Sequence, residues 1–165
     1  TTTGPGLVDT DELYRKMTEV YSWKAVSAGD YFIDYQNMYT HLGVLSLRQL
    51  FVTVANTFMR EGEYDRALEM LDKCCEVMKD YPLETIALGM SANDYMVVDM
   101  VRNYYALGQK EKADRIAIEL AEELLVTAAF YFEFYDWGAE EFELAGSYLY
   151  LLADELEKAG EKEIG

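Results

Sequence analysis

Apolar residues recur along this chain at helical spacing, and the breaks between the runs mark where helices begin and end. Asp9-x-x-Glu12 precedes Leu13, Met17, Val20 and Tyr21 on one face, the pattern of a capping box opening a helix. That helix is predicted to end near Trp23–Lys24, ahead of "SAGD". The following "DYFIDYQNMYTHLGVL" places Tyr31, Tyr35, Tyr39 and Leu42 on one helical stripe, while Phe32, Ile33 and Asp34 leave its conformation open. Ser46-x-x-Gln49 repeats the capping pattern, and its helix is predicted to reach about Arg60.

From there the spacing becomes a motif. Phe51, Val54, Ala55, Phe58, Gly62, Tyr64, Ala67, Leu71 and Cys74 stand at offsets that recur as Val97, Met100, Val101, Tyr104, Gly108, Ala113, Ala117 and Leu120, behind Ser91-x-x-Asp94. The offsets resemble those of the tetratricopeptide-repeat superfamily: large, large, small and aromatic on a first helix, a turn glycine, then small residues on a second. The alanines let two backbones approach, the aromatics fill the space beside them, and glycine closes the turn at least conformational cost. Tyr64 is expected to pack back over its turn. The two turn glycines lie 46 positions apart, more than the ~34-residue period of a regular array. The excess falls in the connector "KDYPLETIALGMSAN". A fainter third copy runs through Leu149, Leu152, Ala153, Leu156 and Gly160.

The expected fold is therefore all-α, an irregular α-α superhelix of tetratricopeptide-repeat-like antiparallel hairpins forming a single helical domain. Its divisions are N-terminal helices over 1–45, a first hairpin over 46–79, a connector over 80–93, a second hairpin over 94–135 and a C-terminal helix over 139–160.

A narrower resemblance lies in "IDYQNMYTHLGVLSLRQLFVTVANTFMREGEYDRALEMLDKC". The "DY" before a short linker, the "L-R" entering a helix and the hairpin G-x-Y-x-x-A-L-E-x-L-D-K-C are similar to the soluble C-terminal portion of a family of bacterial multi-span membrane proteins, distant relatives of protein O-mannosyltransferases. The resemblance implies an extramembrane tail on the periplasmic face, with the transfer chemistry in a membrane part; without it, a cytoplasmic location is expected. The opening "TTTGPG" fits a fragment of a larger protein. No catalytic residue carries over, because no catalytic motif of that family is present.

Charge narrows the partners. A formal net charge of −17 argues against nucleic acid and anionic membrane surfaces, both of which require clustered Lys and Arg. Between Arg115 and Lys158 there is no basic residue but eleven acids, either a solvated face or a surface for a basic partner. The longest uncharged apolar stretch, Leu124–Phe132, falls far short of the ~20 residues of a spanning helix. Cys74 and Cys75 are adjacent and diverge on a helix, so one buried and one partly exposed thiol is expected, with no metal spacing. His41 stands alone, and glycine-rich phosphate loops and nucleophile elbows are absent. No cofactor and no autonomous catalysis are expected.

One segment admits two readings. "AAFYFEFYDWGAEEF" carries Phe130, Phe134 and Trp137 on one helical stripe and Tyr131 and Tyr135 on the next. If the helix continues through them, they pack between the second hairpin and a final helix offering Phe142, Ala145, Leu149, Leu152 and Leu156; this core arrangement is the principal expectation. The alternative is an aromatic lip formed by Tyr131, Tyr135 and Trp137 against a peptide or a sugar ring. The functional expectation is a non-catalytic module binding a protein or peptide, basic in character, along the first helices of its hairpins. Asn56, Met59, Asn103 and Tyr104 are the groove candidates, with Tyr131, Tyr135 and Trp137 at its edge. Two hairpins are few for a free-standing array, so self-association through an open end is a further expectation.

Overall fold

The computed structural model describes residues 9–27, 45–86 and 91–164, and every regular element among them is helical. Helix α1 (Thr10–Arg15) runs into a π-helical turn (Lys16–Val20), and α2 (Lys24–Ser27) is a short return. The repeat-like part comprises α3 (Ser46–Glu61), α4 (Tyr64–Val77), α5 (Ser91–Ala106) and α6 (Lys110–Glu133), followed by α7 (Tyr135–Ile164). The stripe of Tyr31, Tyr35, Tyr39 and Leu42, together with His41, lies outside the described residues.

Helices α3 and α4 form one antiparallel hairpin, α5 and α6 the next, and α7 folds back along α6. Helix α3 also packs on α5, and α5 on α7, so these three make an inner row. The small residues explain the pairing: Ala55, Val101, Ala67 and Ala113 are all 0 % exposed. Around them Phe51, Phe58, Leu71, Met100, Tyr104 and Leu120 complete one continuous core. A fully buried side chain of this size contributes roughly 1.5–3 kcal/mol.

Both hairpins turn the same way. Gly62 has φ +80° and Gly108 φ +70°, the left-handed region that only glycine enters cheaply. The Glu63 N–H donates to the Phe58 carbonyl at 2.9 Å and the Gln109 N–H to that of Tyr104 at 2.8 Å. Gly62 and Gly108 donate one residue further on, to Met59 and Tyr105. This double closure satisfies carbonyls that a helix end otherwise leaves open.

Local details depart from the sequence expectation. The first capping box is real, with Asp9 Oδ1 accepting the Glu12 N–H at 3.0 Å. The second is not: Leu45 occupies the cap position of α3 and Ser46 is already helical. Tyr64 is 58 % exposed and does not pack over its turn. In α7 the buried stripe is Ala145, Tyr148, Leu152 and Glu155, while Ala153 and Leu156 are exposed, a rotation of the face predicted for the third copy. Glu155 can occupy a core register because Arg102 of α5 reaches it with Nε at 3.0 Å.

The connector is tied down by polar side chains from three helices. Buried Arg48 donates to the carbonyls of Pro82 (2.9 Å), Leu83 (3.5 Å) and Tyr81 (3.5 Å). Glu123 Oε2 accepts the N–H groups of Leu83 (2.8 Å) and Glu84 (2.6 Å), and Thr127 donates to Glu84. Asp94 accepts the Thr85 N–H at 2.7 Å. Burial pushes the Asp94 carboxyl up to about 8, against the lowering effect of that hydrogen bond. The N-terminal segment covers the first hairpin: Tyr14 meets Phe58 edge-on at 5.4 Å, Trp23 lies 5.1 Å from Phe51, and Arg66 covers both Tyr14 and Phe58.

Candidate functional site

The inner row presents a shallow groove of about 400 Å³ lined by Thr53, Asn56, Met59, Arg60, Asp99, Arg102 and Asn103. Four of its side chains, Asn56, Asp99, Arg102 and Asn103, are already engaged with one another. Asn103 Nδ2 donates to Asn56 Oδ1 at 2.6 Å, and Asn56 Nδ2 donates to Asp99 Oδ2 at 3.0 Å. Arg102 pairs with Asp99 and, across to α7, with Glu155. The chain of bonds staples α3, α5 and α7 side by side. Asn103 is only 7 % exposed, so breaking it out to meet a ligand would leave buried amides unpaired, at roughly 1–3 kcal/mol.

The tip of the α6–α7 hairpin is built differently. Helix α5 has 16 residues and its partner α6 has 24, so at 1.5 Å rise per residue α6 overhangs it by about 12 Å. The chain then reverses within one residue, Phe134, whose N–H donates to the Tyr131 carbonyl at 3.2 Å. Past Thr127, which bonds to Glu84 of the connector, α6 and α7 are the described helices that face one another. Phe130, Phe132, Phe134, Tyr135 and Trp137 are 45–93 % exposed, with Trp137 the extreme. The expected core packing of this aromatic stripe is therefore overturned. The helix does not continue through Phe134, and among the described residues no third helix packs against these rings.

The rings form two small stacks and one outlier. Phe130 stands 5.2 Å from Tyr131 and 5.1 Å from Phe134, while Phe142 is 5.7 Å from Phe132 and 5.6 Å from Tyr135. Trp137 projects alone. Tyr131 is half-buried because its ring lies over Gly138, where a Cβ would come within 2.1 Å of its Cδ1. Gly138 is also where α7 leaves helical geometry, with φ −126° and ψ 28°. The missing side chain lets the two helices of the tip close on the Tyr131 ring. Glu133, Asp136, Glu140 and Glu143 stand exposed around the rings with Glu141 partly so, and no base is present in this part of the sequence.

The structure divides the residues singled out from sequence. Tyr135 and Trp137 are exposed at the tip, with Tyr131 beside them under partial cover. Asn56, Met59 and Asn103 lie together at the inner groove, but Asn103 is buried in the network. Tyr104 is 1 % exposed, in the core, and is withdrawn as a contact residue. Its hydroxyl donates to Asp72 at 3.0 Å and meets the Cys75 thiol at 3.4 Å, so the repeat pattern's packing role prevails. Asp99, Arg102 and Glu155 were not anticipated; the available signal was charge at helical positions adjoining the buried stripes. No family model, curated protein or solved structure matches this chain.

Proposed function

We propose that this chain is a non-catalytic interaction module whose contact surface is the aromatic tip of the α6–α7 hairpin. Its partner is a protein segment that brings apolar and basic side chains together. One observation carries the reading: a contiguous group of rings is held in solvent by two rigid helices, where isolated exposed apolar residues would be unremarkable. Aromatic side chains offer large contact area with few rotors to freeze, and they dominate the energetics of many interfaces. The surrounding carboxylates, without a base among them, favour a positively charged partner and disfavour pairing with a second −17 chain.

The test is a selection of peptides displayed at random against the whole chain, followed by affinity measurement on variants. Selected peptides should be rich in Lys or Arg next to apolar residues. Trp137→Ser and Phe134→Ser should each weaken them by roughly tenfold or more, as truncating a central aromatic contact does, whereas Thr53→Ala in the inner groove should not. Peptides that ignore the tip substitutions and respond at the groove would transfer the function to the inner row.

A second reading, carried by the residues of α3 and α4 that resemble the mannosyltransferase-related family, is an extramembrane accessory domain of a membrane glycosyltransferase-like enzyme. In that setting the tip would contact either the acceptor or the catalytic part. No helix among the described residues is long and apolar enough to cross a membrane. Membrane spans encoded upstream of Thr1 in the gene would favour this reading, and an upstream sequence without them would remove it.

A further inference from the structure

On the side of the molecule away from the inner groove, α4 and α6 flank a cavity of about 390 Å³ that reaches inward to α3 and α5 and outward to the connector. Its volume is within the range of small-molecule sites. Three cations line it, Arg48, Lys79 and Arg115, in a chain that carries more than twice as many acids as bases. The acids at its edge are Glu76, which Lys73 holds at 3.0 Å, and Glu119. The apolar lining includes Met78, Met100 and Ile116.

Arg48 is the unusual member. It is 1 % exposed, and its guanidinium meets only three backbone carbonyls, two of them at 3.5 Å. Neither Arg48 nor Arg115 forms an ion pair among the described residues. A buried cation is costly unless it is paired, and the acids near enough to act on it, Asp94 and Glu123, make no ion pair with it. Cys74 and Cys75 are both pushed up by burial, Cys74 to about 12, and stay neutral. Asp94, its carboxyl pushed up to about 8 by burial, is engaged with the Thr85 N–H. Glu123 is engaged by the connector's N–H groups.

We propose that this cavity binds a small organic anion, its carboxylate or phosphate held by Arg48 and Arg115 and its apolar body lying against Met78, Met100 and Ile116. A planar guanidinium suits either headgroup, through paired N–H donors. The site is independent of the aromatic tip, and neither proposal requires the other.

The experiment titrates the whole chain with benzoate, phenyl phosphate, inorganic phosphate and the uncharged isostere benzamide, reading methionine methyl resonances by NMR. Benzoate or phenyl phosphate should shift the signals of Met78 and Met100, and the tighter of the two identifies the headgroup class. Benzamide should bind at least tenfold more weakly, and exposed Arg115→Gln should weaken the better anion by about tenfold or more, the scale of one charge-assisted contact. Arg115→Lys, which keeps the charge without the planar fork, should fall between. Four results would overturn the proposal: no shift with either aromatic anion at millimolar concentration, binding of inorganic phosphate alone, equal binding of benzamide, or an unchanged affinity in Arg115→Gln.

Discussion

Asp94 gives the structure a measurable dependence on pH. Its carboxyl is 0 % exposed and accepts the Thr85 N–H, yet desolvation raises its pKa from 3.8 to about 8 in the folded chain, with Glu84 adding to the rise. The folded protein therefore holds a proton there that the unfolded chain releases near pH 4. Stability from this group is fully present below about pH 4 and is lost as pH rises through about 8, because the native state binds the extra proton only in that window. At about 1.4 kcal/mol per pKa unit, the whole effect is on the order of 5 kcal/mol. Asp94→Asn preserves the shape and the acceptor for Thr85 but cannot ionise. Urea unfolding followed by circular dichroism, run on both proteins from pH 4 to pH 9, isolates the group, since repulsion among the other acids is common to both. The native chain should lose stability relative to the variant by several kcal/mol across the window and run parallel to it above. Parallel curves throughout would show that Asp94 is ionised in the fold and that its burial has been misjudged.

Further substitutions probe the other elements. Gly138→Ala should cost about 1–3 kcal/mol in thermal or chemical unfolding, as overpacking does, because its Cβ meets the Tyr131 ring. Gly62→Ala, with open space around the site but φ +80°, should cost only the ~1–2 kcal/mol of a left-handed alanine, with no change in the aromatic tip's spectra. Asn103→Ala should destabilise by roughly 1–3 kcal/mol, since it strips the bond to Asn56; a neutral result would show that the inner network is not a staple. Trp137→Ser should leave unfolding within about 0.5 kcal/mol of the native chain, as for a surface site, while removing partner binding.

The hairpins were legible because their signal is local and repeated. Small residues at Ala55, Ala67, Val101 and Ala113 and the turn glycines Gly62 and Gly108 stand at fixed offsets, and each has a steric reason to be what it is. The aromatic tip was misjudged because a helical stripe reads as continuous until something ends it. Phe134 carries no breaker of its own, and the glycine at the tip stands four residues later. Whether rings beyond Thr127 are covered depends on the relative lengths of α5 and α6, a property of two distant segments. The polar framework was missed for a related reason. Arg48 precedes Phe51 and Val52, and Asp94 precedes Val97 and Val98, by three and four positions, so both sit in the core register of their helices. A charge in that register is a signal, but its partners lie in the connector, which sequence spacing does not reveal.

The aromatic tip is the claim on which the functional reading stands, and tryptophan fluorescence addresses it directly. The chain has two tryptophans, so Trp23→Phe leaves Trp137 as the sole reporter. In dilute solution its emission should be that of hydrated indole and freely quenched by acrylamide, and a selected basic peptide should shift it to the blue and protect it. A reporter already blue-shifted and shielded in the free chain, or one that remains fully quenchable when the peptide is bound, would contradict the assignment.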